Sequence, residues 1–242
     1  MTTEFLYGVN TAEEVLKAGR RRALRLVIAR GENSQRILGL VSLARKGGVK
    51  VEFCDQRALD KLANGGNHQG VILETEPPRR MDLNSALESE KDLKKTVWAG
   101  LDGITDPMNL GAIIRSAACL GVSTVILPER RSAGITPTAQ KAASGAVERI
   151  NIIEVVNMNQ TIIKLKEKGF WVYGMDMGGK PLPQVDFVLP AFIIIGSEGE
   201  GLHAKTREHC DEIVSIPQKG GVESLNAGNA AAVVFYELSK RI

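Results

Sequence analysis

The second half of the chain alternates apolar, strand-like runs with helix start signals, and this pattern most constrains the fold. The runs are TVWAGLDG (96–103), STVILP (123–128), RINIIEV (149–155), FWVYGMD (170–176), PAFIIIG (190–196) and DEIVSIP (211–217). Several are apolar throughout, which is typical of strands covered by helices on both faces. Helix start signals lie at Asp106-Pro107, Thr136-Pro137, Asn157 and Gly201, and a last helix is predicted from about Leu225 to Lys240. The sequence therefore predicts an α/β fold built on a parallel sheet.

The first third reads as a smaller α/β module. A capping-box pattern at Thr11–Glu14 predicts a helix start, and LRLVIA (24–29), VKVEFC (49–54) and VILET (71–75) predict strands. Pro77-Pro78 cannot continue a strand ladder, and a charged segment of lower apolar density follows. We therefore predict a module at residues 1–77, a linker at 78–95 and a larger domain at 96–242.

Composition excludes several classes of protein. Hydrophobic residues make up 43% of the 242 residues and charged residues 24%, close to the averages for globular proteins. No apolar run approaches the roughly 18 residues of a membrane span, and the N-terminus lacks a signal-peptide pattern. The three scattered cysteines argue against disulfides and a zinc site, and the three histidines have no metal-ligand spacing. These features predict a cytoplasmic protein with no membrane partner and no metal.

The formal net charge of +3 is unevenly distributed. The whole excess lies in residues 1–77, which hold 12 Lys/Arg against 9 Asp/Glu. Much of it is one cluster, formed by Arg20, Arg21, Arg22 and Arg25. Such a cluster suits contacts with nucleic-acid phosphates, although a solvated loop with ordinary surface arginines is an equal alternative on this feature alone.

A glycine-rich turn, GSEGEGL (196–202), follows a predicted strand and precedes a predicted helix. Its spacing is neither G-x-G-x-x-G nor that of a P-loop. Glu198 and Glu200 would also place negative charge where a pyrophosphate must bind. The turn therefore disfavours a phosphate-rich cofactor, whereas a cationic or neutral adenosyl ligand is compatible with it. A turn whose glycines only relieve backbone strain remains the alternative.

Two more polar groups lie at strand-to-helix junctions. In DPMNLGAIIRSAACLG, Asn109 and Arg115 interrupt an apolar helix, about 240° apart around its axis. The second group is Ser224-Leu225-Asn226, ahead of an Ala-rich helix, where Ser224 or Asn226 could simply be the N-cap. All three groups should meet at one edge of the parallel sheet, where such sheets bind ligands.

At these residues the sequence resembles the SpoU-type ribose 2′-O-methyltransferases of the SPOUT superfamily. Three motifs match in order: Asn109-x-Gly111-x-x-x-Arg115, Gly196-x-Glu198-Gly199-x-Gly201-Leu202, and Ser224-Leu225-Asn226. LYGVNTAEEVLKAG and HQGVILE (68–74) resemble the ribosomal-protein-like RNA-binding domain that precedes the catalytic domain in the rRNA guanosine 2′-O-methyltransferases. One departure is Ala227-Gly228-Asn229, where the family usually has Val-Ser-Val, and we expect the local helix packing to differ from that of the family there.

The resemblance implies a fold, ligands and roles. It implies a C-terminal trefoil knot, S-adenosylmethionine bound near Gly196, Ile216, Ser224 and Leu225, and a homodimer with its active site at the interface. Large-subunit rRNA is the implied substrate, held by the first domain. Of the implied catalytic set, Arg115 would act at the 2′-hydroxyl, Glu198 and Asn226 would orient Arg115 or the ribose, and Asn109 would position RNA or a motif loop.

Three alternatives remain open at this point. A tRNA substrate is one, although the extra N-terminal domain favours rRNA. A non-catalytic RNA-binding protein is the second, and it would not bind S-adenosylmethionine. A nicotinamide-dependent oxidoreductase is the third, and it would need a pyrophosphate loop that the sequence lacks.

Overall fold

In the computed structural model, which describes residues 3–78, 81–221 and 224–242, each apolar run of the second half forms a strand. The strands in chain order are β1 (Glu4–Tyr7), β2 (Ala23–Ala29), β3 (Lys50–Cys54), β4 (Val71–Thr75), β5 (Val97–Asp102), β6 (Thr124–Pro128), β7 (Asn151–Val155), β8 (Trp171–Pro181), β9 (Ala191–Gly196) and β10 (Glu212–Ser215). The helices are α1 (Val9–Ala18), α2 (Gln35–Lys46), α3 (Gln56–Ala63), α4 (Leu83–Ser89), α5 (Pro107–Cys119), α6 (Pro137–Ala142), α7 (Met158–Glu167), α8 (Ala204–His209) and α9 (Ala227–Ser239).

The chain divides into two compact units. The first contains the N-terminal residues up to Arg79 together with Ile135–Arg149, and the second contains Arg80–Gly134 and Ile150–Ile242. Helix α6 therefore belongs to the first unit, which nothing in the sequence pattern indicates.

The second unit is organised around a six-stranded sheet in the order β10-β8-β9-β5-β6-β7, in which every pairing is parallel. Asp102 at the end of β5 lies opposite Gly196 at the end of β9, so the carboxyl ends of these central strands share one edge. β5 and β9 are buried along their whole length, as their continuous apolar sequences require. The predicted α/β class with a parallel sheet is confirmed, and the trefoil knot stays a prediction.

Helices cover both faces of this sheet. One face carries a core of Trp98, Ile126, Phe192 and other apolar side chains, to which α4 and α7 contribute. α5 and α9 pack against each other, and each buries an apolar stripe. The segment that we predicted as a linker thus contains α4, whose Ala86 is fully buried in the core of the second unit.

The first unit has a four-stranded mixed sheet in the order β1-β4-β2-β3. Strand β1, which is antiparallel to β4, has no counterpart in the predicted pattern. The capping-box prediction was also wrong: α1 begins at Val9 with Gly8 as its N-cap, and Thr11 is buried inside the helix. Thr11, Ala12 and Val15 form the buried face of α1, so core packing decides where this helix lies.

Candidate active site

Helix α5 presents the first motif at the carboxyl edge of the central sheet. Its N-cap, Asp106, accepts hydrogen bonds from the backbone N–H groups of Met108 and Asn109 at 3.1 and 3.2 Å. Pro107 occupies the first helical position, where its missing N–H costs nothing. The cap therefore fixes Asn109 in the first turn of α5.

The second motif forms a tight loop after β9. A Cβ atom on Gly196 would lie 2.4 Å from the carbonyl carbon of Gly201, so only glycine fits there. Two backbone hydrogen bonds between Ser197 and Gly201, of 3.0 and 3.1 Å, close the loop. Gly201 has a φ of +69°, in the left-handed region that favours glycine. The loop therefore holds Glu198 near its tip in a fixed position.

One hydrogen-bond network joins all three motifs. Glu198 Oε1 accepts from Asn109 Nδ2 at 2.9 Å, from the backbone N–H of Ala227 at 3.0 Å, and from Asn226 Nδ2. Asn226 Nδ2 also donates to Asn109 Oδ1 at 2.8 Å. Asn226 Oδ1 caps α9 by accepting from Gly228 N and Asn229 N at 3.0 and 3.3 Å. Asn226 is thus both the predicted N-cap and a member of the network.

A cavity of about 620 Å³ opens beside this network, within the size range of small-molecule sites. Its lining includes all four residues predicted to bind a cofactor: Gly196, Ile216, Ser224 and Leu225. Apolar side chains, among them Met175 and Ile195, form much of the remaining wall.

The charge of the cavity limits what it can bind. Asp176, Glu198 and Glu200 line it, and none of its described lining residues is Lys, Arg or His. Phosphate-rich ligands need cations or clustered N–H donors, and the described side chains of this lining include no cation. A sulfonium-bearing adenosyl compound fits the set, because its cation faces carboxylates and its aromatic base can pack on apolar walls.

Arg115, the fourth residue of the predicted catalytic set, is exposed on α5. The buried stripe of that helix, which includes Leu110, Ile113 and Ile114, turns Arg115 away from the sheet. It is seven residues from Met108, so the two side chains share the exposed face of α5.

The departure from the family motif lies where α9 meets α5. Ala227 and Gly228 are buried, and a Cβ atom on Gly228 would lie 3.1 Å from the Cβ atom of Ala112. Asn229 is exposed. The small residues thus bring α9 close to α5 without disturbing the Asn226 cap.

The structure adds a buried carboxylate that the sequence analysis did not single out. Asp102 is 5% exposed, and its Oδ2 accepts from the backbone N–H of His203 at 2.9 Å. Its Oδ1 lies 2.8 Å from the His203 Nδ1 atom. This pair ties the residue before α8 to the end of β5. In the sequence, Asp102 stands directly before a glycine at the end of a predicted strand, and this position could have identified it as a candidate.

The arginine cluster of the first unit is not one accessible patch. Arg21 is 7% exposed and its guanidinium contacts Glu148, Gln140 at 2.7 Å and Glu4 at 3.2 Å. These partners satisfy a buried cation inside the unit. Arg21 is therefore engaged in packing and leaves the set of candidate phosphate contacts.

The other three arginines of the cluster lie at the surface to different degrees. Arg25 is half-buried between Glu52 and Glu74, both at 2.9 Å. Burial lowers the pKa of its guanidinium, but the two carboxylates together outweigh burial and raise that pKa. Arg20 and Arg22 are exposed. The N-terminal candidates for contact with RNA thus reduce mainly to Arg20 and Arg22.

Across the described residues, no helix is long and apolar enough to cross a membrane. In residues 3–78, 81–221 and 224–242, no group of three or more His, Cys, Asp or Glu side chains has the arrangement of a metal site.

Comparisons with known proteins agree with this geometry. Residues 97–236 match the model of the SpoU rRNA Methylase family, and residues 5–81 match the model described as RNA 2′-O ribose methyltransferase substrate binding. The chain is 35% identical over 236 residues to the 23S rRNA (guanosine-2′-O-)-methyltransferase RlmB of Escherichia coli K12, covering 97% of each protein. It is 38% identical to an uncharacterised tRNA/rRNA methyltransferase of Mycolicibacterium gilvum, covering 99% of this chain and 77% of the relative.

Solved structures show the same fold. The SpoU methyltransferase AviRb of Streptomyces viridochromogenes, crystallised with AdoMet, superposes with a TM-score of 0.81 at 24% identity, covering 99% of this chain and 90% of AviRb. Since the family model spans more than half of the chain and a full-length relative shares 35% identity, the chain belongs to the SpoU rRNA methylase family.

Proposed function

We propose that this protein transfers a methyl group from S-adenosylmethionine to the 2′-hydroxyl of a guanosine ribose in large-subunit rRNA. The observation that carries the proposal is the acid-lined cavity joined through Glu198 to Asn109 and Asn226. The relatives support this substrate. Several proteins that match this chain over nearly their full length are named 23S rRNA guanosine 2′-O-methyltransferases. We place the protein in the cytoplasm with its RNA.

The cavity would hold the methyl donor, whose positively charged sulfonium sulfur carries the methyl group and would leave as a neutral thioether when the S–CH3 bond breaks. Gly196 and its close contact with Gly201 would let the backbone approach the ligand, and Ile216 and Leu225 would cover it. Ser224 would donate or accept a hydrogen bond at the rim. A rigid cavity matters because alignment of reacting groups can contribute about 7–11 kcal/mol.

The Asn109–Glu198–Asn226 network would hold the donor cavity and α5 in a fixed position relative to each other. Its hydrogen bonds link the loop after β9 with the first turns of α5 and α9. Of the two roles the sequence suggested for Asn109, positioning of a motif loop therefore has the geometric support. Glu198, which accepts three hydrogen bonds, would act in the same way.

Arg115 would stabilise the oxygen that attacks the methyl group. A guanidinium keeps its proton at neutral pH and is a poor proton acceptor, so we do not assign Arg115 the removal of the hydroxyl proton. A cation beside the 2′-oxygen lowers the energy of the alkoxide that develops there, and it can also contact the neighbouring phosphate. Its exposure on α5 leaves it accessible to RNA.

We further propose the organisation that the family implies. Residues 1–77 would bind RNA and 96–242 would form the catalytic domain with a trefoil knot. Residues 78–95 would link the two, with α4 packed in the core of the second unit. The homodimer would use the exposed face of α9, where Val233 and Tyr236 are 41% and 59% exposed and one helical turn apart. Large exposed apolar side chains on adjacent turns are typical of interaction surfaces. Light scattering of wild type and Val233→Glu/Tyr236→Glu tests the dimer.

Calorimetry and methyl transfer together test the function. Titration with S-adenosylmethionine should show one site per chain, and labelled methyl groups should pass to rRNA in preference to tRNA. Binding of RNA without any binding of S-adenosylmethionine would favour a non-catalytic RNA-binding protein. Transfer to tRNA alone would replace the rRNA substrate by the tRNA alternative.

A further inference from the structure

The loop after β6, residues 129–134, carries two adjacent exposed arginines, Arg130 and Arg131. Within the described parts of the chain, neither side chain forms a hydrogen bond or an ion pair. Two other arginines of the second unit differ in this respect: Arg207 pairs with Asp176, and Arg241 with Asp186 at 2.6 Å. We name residues 129–134 the basic loop.

The basic loop is anchored at both ends. The backbone N–H of Glu129 donates to the carbonyl of Val155 at the end of β7, at 2.9 Å. The backbone N–H of Ala133 donates to the carbonyl of Ile104 at 2.7 Å, and both of these residues are buried. The arginines between these anchors are therefore presented to solvent from a fixed base.

Its anchors place the basic loop beside the candidate active site. β6 is parallel to β5, so its carboxyl end lies at the same sheet edge as the end of β5. Ile104, which holds the loop, lies two residues before Asp106, the N-cap of α5. The same helix carries Asn109 and Arg115. The basic loop follows β6 and the segment leading to α5 follows β5, so the two segments leave adjacent strands at the same edge of the sheet.

The carboxylates at this edge of the sheet would repel the phosphates of RNA unless cationic side chains lie there as well. Glu198 and Glu200 line the donor cavity without a cationic partner among the described residues, whereas Asp176 is paired with Arg207, and a ribose in RNA is flanked by two phosphates. Carboxylates and phosphates repel each other over about 8 Å at physiological ionic strength. A pair of uncompensated guanidinium groups on the same edge offsets that repulsion and binds phosphate bidentately. Glu129, the acidic neighbour in the loop, leaves it a formal charge of +1.

We infer that the basic loop is a phosphate-binding element that docks the RNA backbone next to the methylated nucleotide. This inference rests on the proposed function and adds to it a second RNA contact, in the catalytic unit. The ligand is the phosphodiester backbone, so the contact contributes affinity and register and reads no base. It concerns the binding of substrate RNA and not the binding of S-adenosylmethionine.

The test is the salt dependence of RNA binding by Arg130→Ala/Arg131→Ala. Removal of one phosphate contact should reduce the slope of log Kd against log salt by about 0.7 to 0.9, so the slope of the double variant should fall by roughly 1.4 to 1.8. Its KM for rRNA should rise at least about tenfold, because the arginines act in ground-state binding. The turnover at saturating RNA and the Kd for S-adenosylmethionine should stay within about twofold.

The matched control is Lys164→Ala/Lys168→Ala. These exposed lysines lie at the C-terminal end of α7, which runs back along the sheet towards its opposite edge. The control removes the same charge and should leave the salt slope nearly unchanged. Arg130→Lys/Arg131→Lys keeps both charges and should restore most of the slope.

Two results would overturn the inference. If the arginine variant and the lysine control change the slope equally while wild type binds and methylates rRNA, the basic loop has no specific contact and the proposed function stands. If wild type neither binds nor methylates rRNA, the inference and the proposed function fall together.

Discussion

Asn109 Nδ2 donates to Glu198 Oε1 across 2.9 Å, although 89 residues separate the two in the chain. Glu198 also accepts from Asn226 and from the backbone of Ala227. One carboxylate therefore holds together the connections that enter α5 and α9 and the loop that lines the donor cavity.

Replacement of Glu198 by Ala should separate these connections. With no acceptor for three donors, the loop after β9 loses its fixed position, and we expect the Kd for S-adenosylmethionine to rise about 10- to 100-fold. Calorimetry measures this directly. Glu208→Ala, which removes an exposed carboxylate from α8, serves as the control and should bind normally. Equal affinities of the two variants would show that the network does not support the cavity.

Replacement of Arg115 should affect chemistry and leave donor binding intact. Loss of one group that stabilises developing charge typically lowers kcat by about 10² to 10³. Arg115→Ala should therefore bind S-adenosylmethionine and RNA but transfer methyl groups at least about 100-fold more slowly, and Arg115→Lys should recover only part of the rate. Single-turnover assays with saturating RNA measure the effect. Near-normal transfer by Arg115→Ala would contradict the assigned role.

Gly196→Ala should distort the donor cavity. Its new methyl group would lie 2.4 Å from the carbonyl carbon of Gly201, and that neighbour is backbone. We expect loss of measurable donor binding and a lower melting temperature, because the strand end or the loop has to move. Gly39→Ala is the steric control, since nothing lies within 4 Å of the added atom.

The steric control Gly39→Ala should also change the stability of the first unit. Gly39 lies inside α2 and is exposed, so alanine gains helix propensity there without a clash. Gly39→Ala should stabilise the first unit by about 0.5–1 kcal/mol in urea unfolding. A decrease in stability would mean that α2 makes contacts through this face.

Cys210 should contribute to alkaline destabilisation. Burial raises the pKa of its thiol to about 12, and the neighbouring Asp211 acts in the same direction against Lys166 and Arg207. The unfolded thiol ionises above its ordinary pKa of about 8.5 while the folded thiol stays protonated, so unfolding releases a proton and stability falls as pH rises from about 9 to 12. Cys210→Ala should therefore show a shallower loss of stability between pH 9 and 10.5. An unchanged slope would show that the thiol does not titrate on unfolding.

The sheet of the second unit could be predicted from the sequence because its strands are buried on both faces. Runs such as FIIIG in β9 are apolar without alternation and end at glycines or polar residues. The candidate site residues were singled out for the related reason that polar side chains are unexpected at such strand ends. Asn109, Glu198 and Asn226 were proposed together from this pattern and from the family resemblance, and the structure brings all three into contact.

Other features depend on contacts distant in sequence, which local patterns do not contain. Arg21 looked like its exposed neighbours, but its partner Glu148 comes from a segment 127 residues later. Strand β1 has only four residues and is defined by its pairing with β4. The start of α1 was placed too late because a capping-box pattern carries less free energy than the burial of a helix face.

The most direct test of the central claim is the chemical position of the transferred methyl group. Large-subunit rRNA would be incubated with this protein and S-adenosylmethionine labelled in the methyl group, then hydrolysed in alkali, which cannot cleave after a 2′-O-methylated ribose. We predict that the label appears in an alkali-resistant dinucleotide whose first residue is guanosine. Label recovered in mononucleotides would place the methyl group on a base and contradict the account.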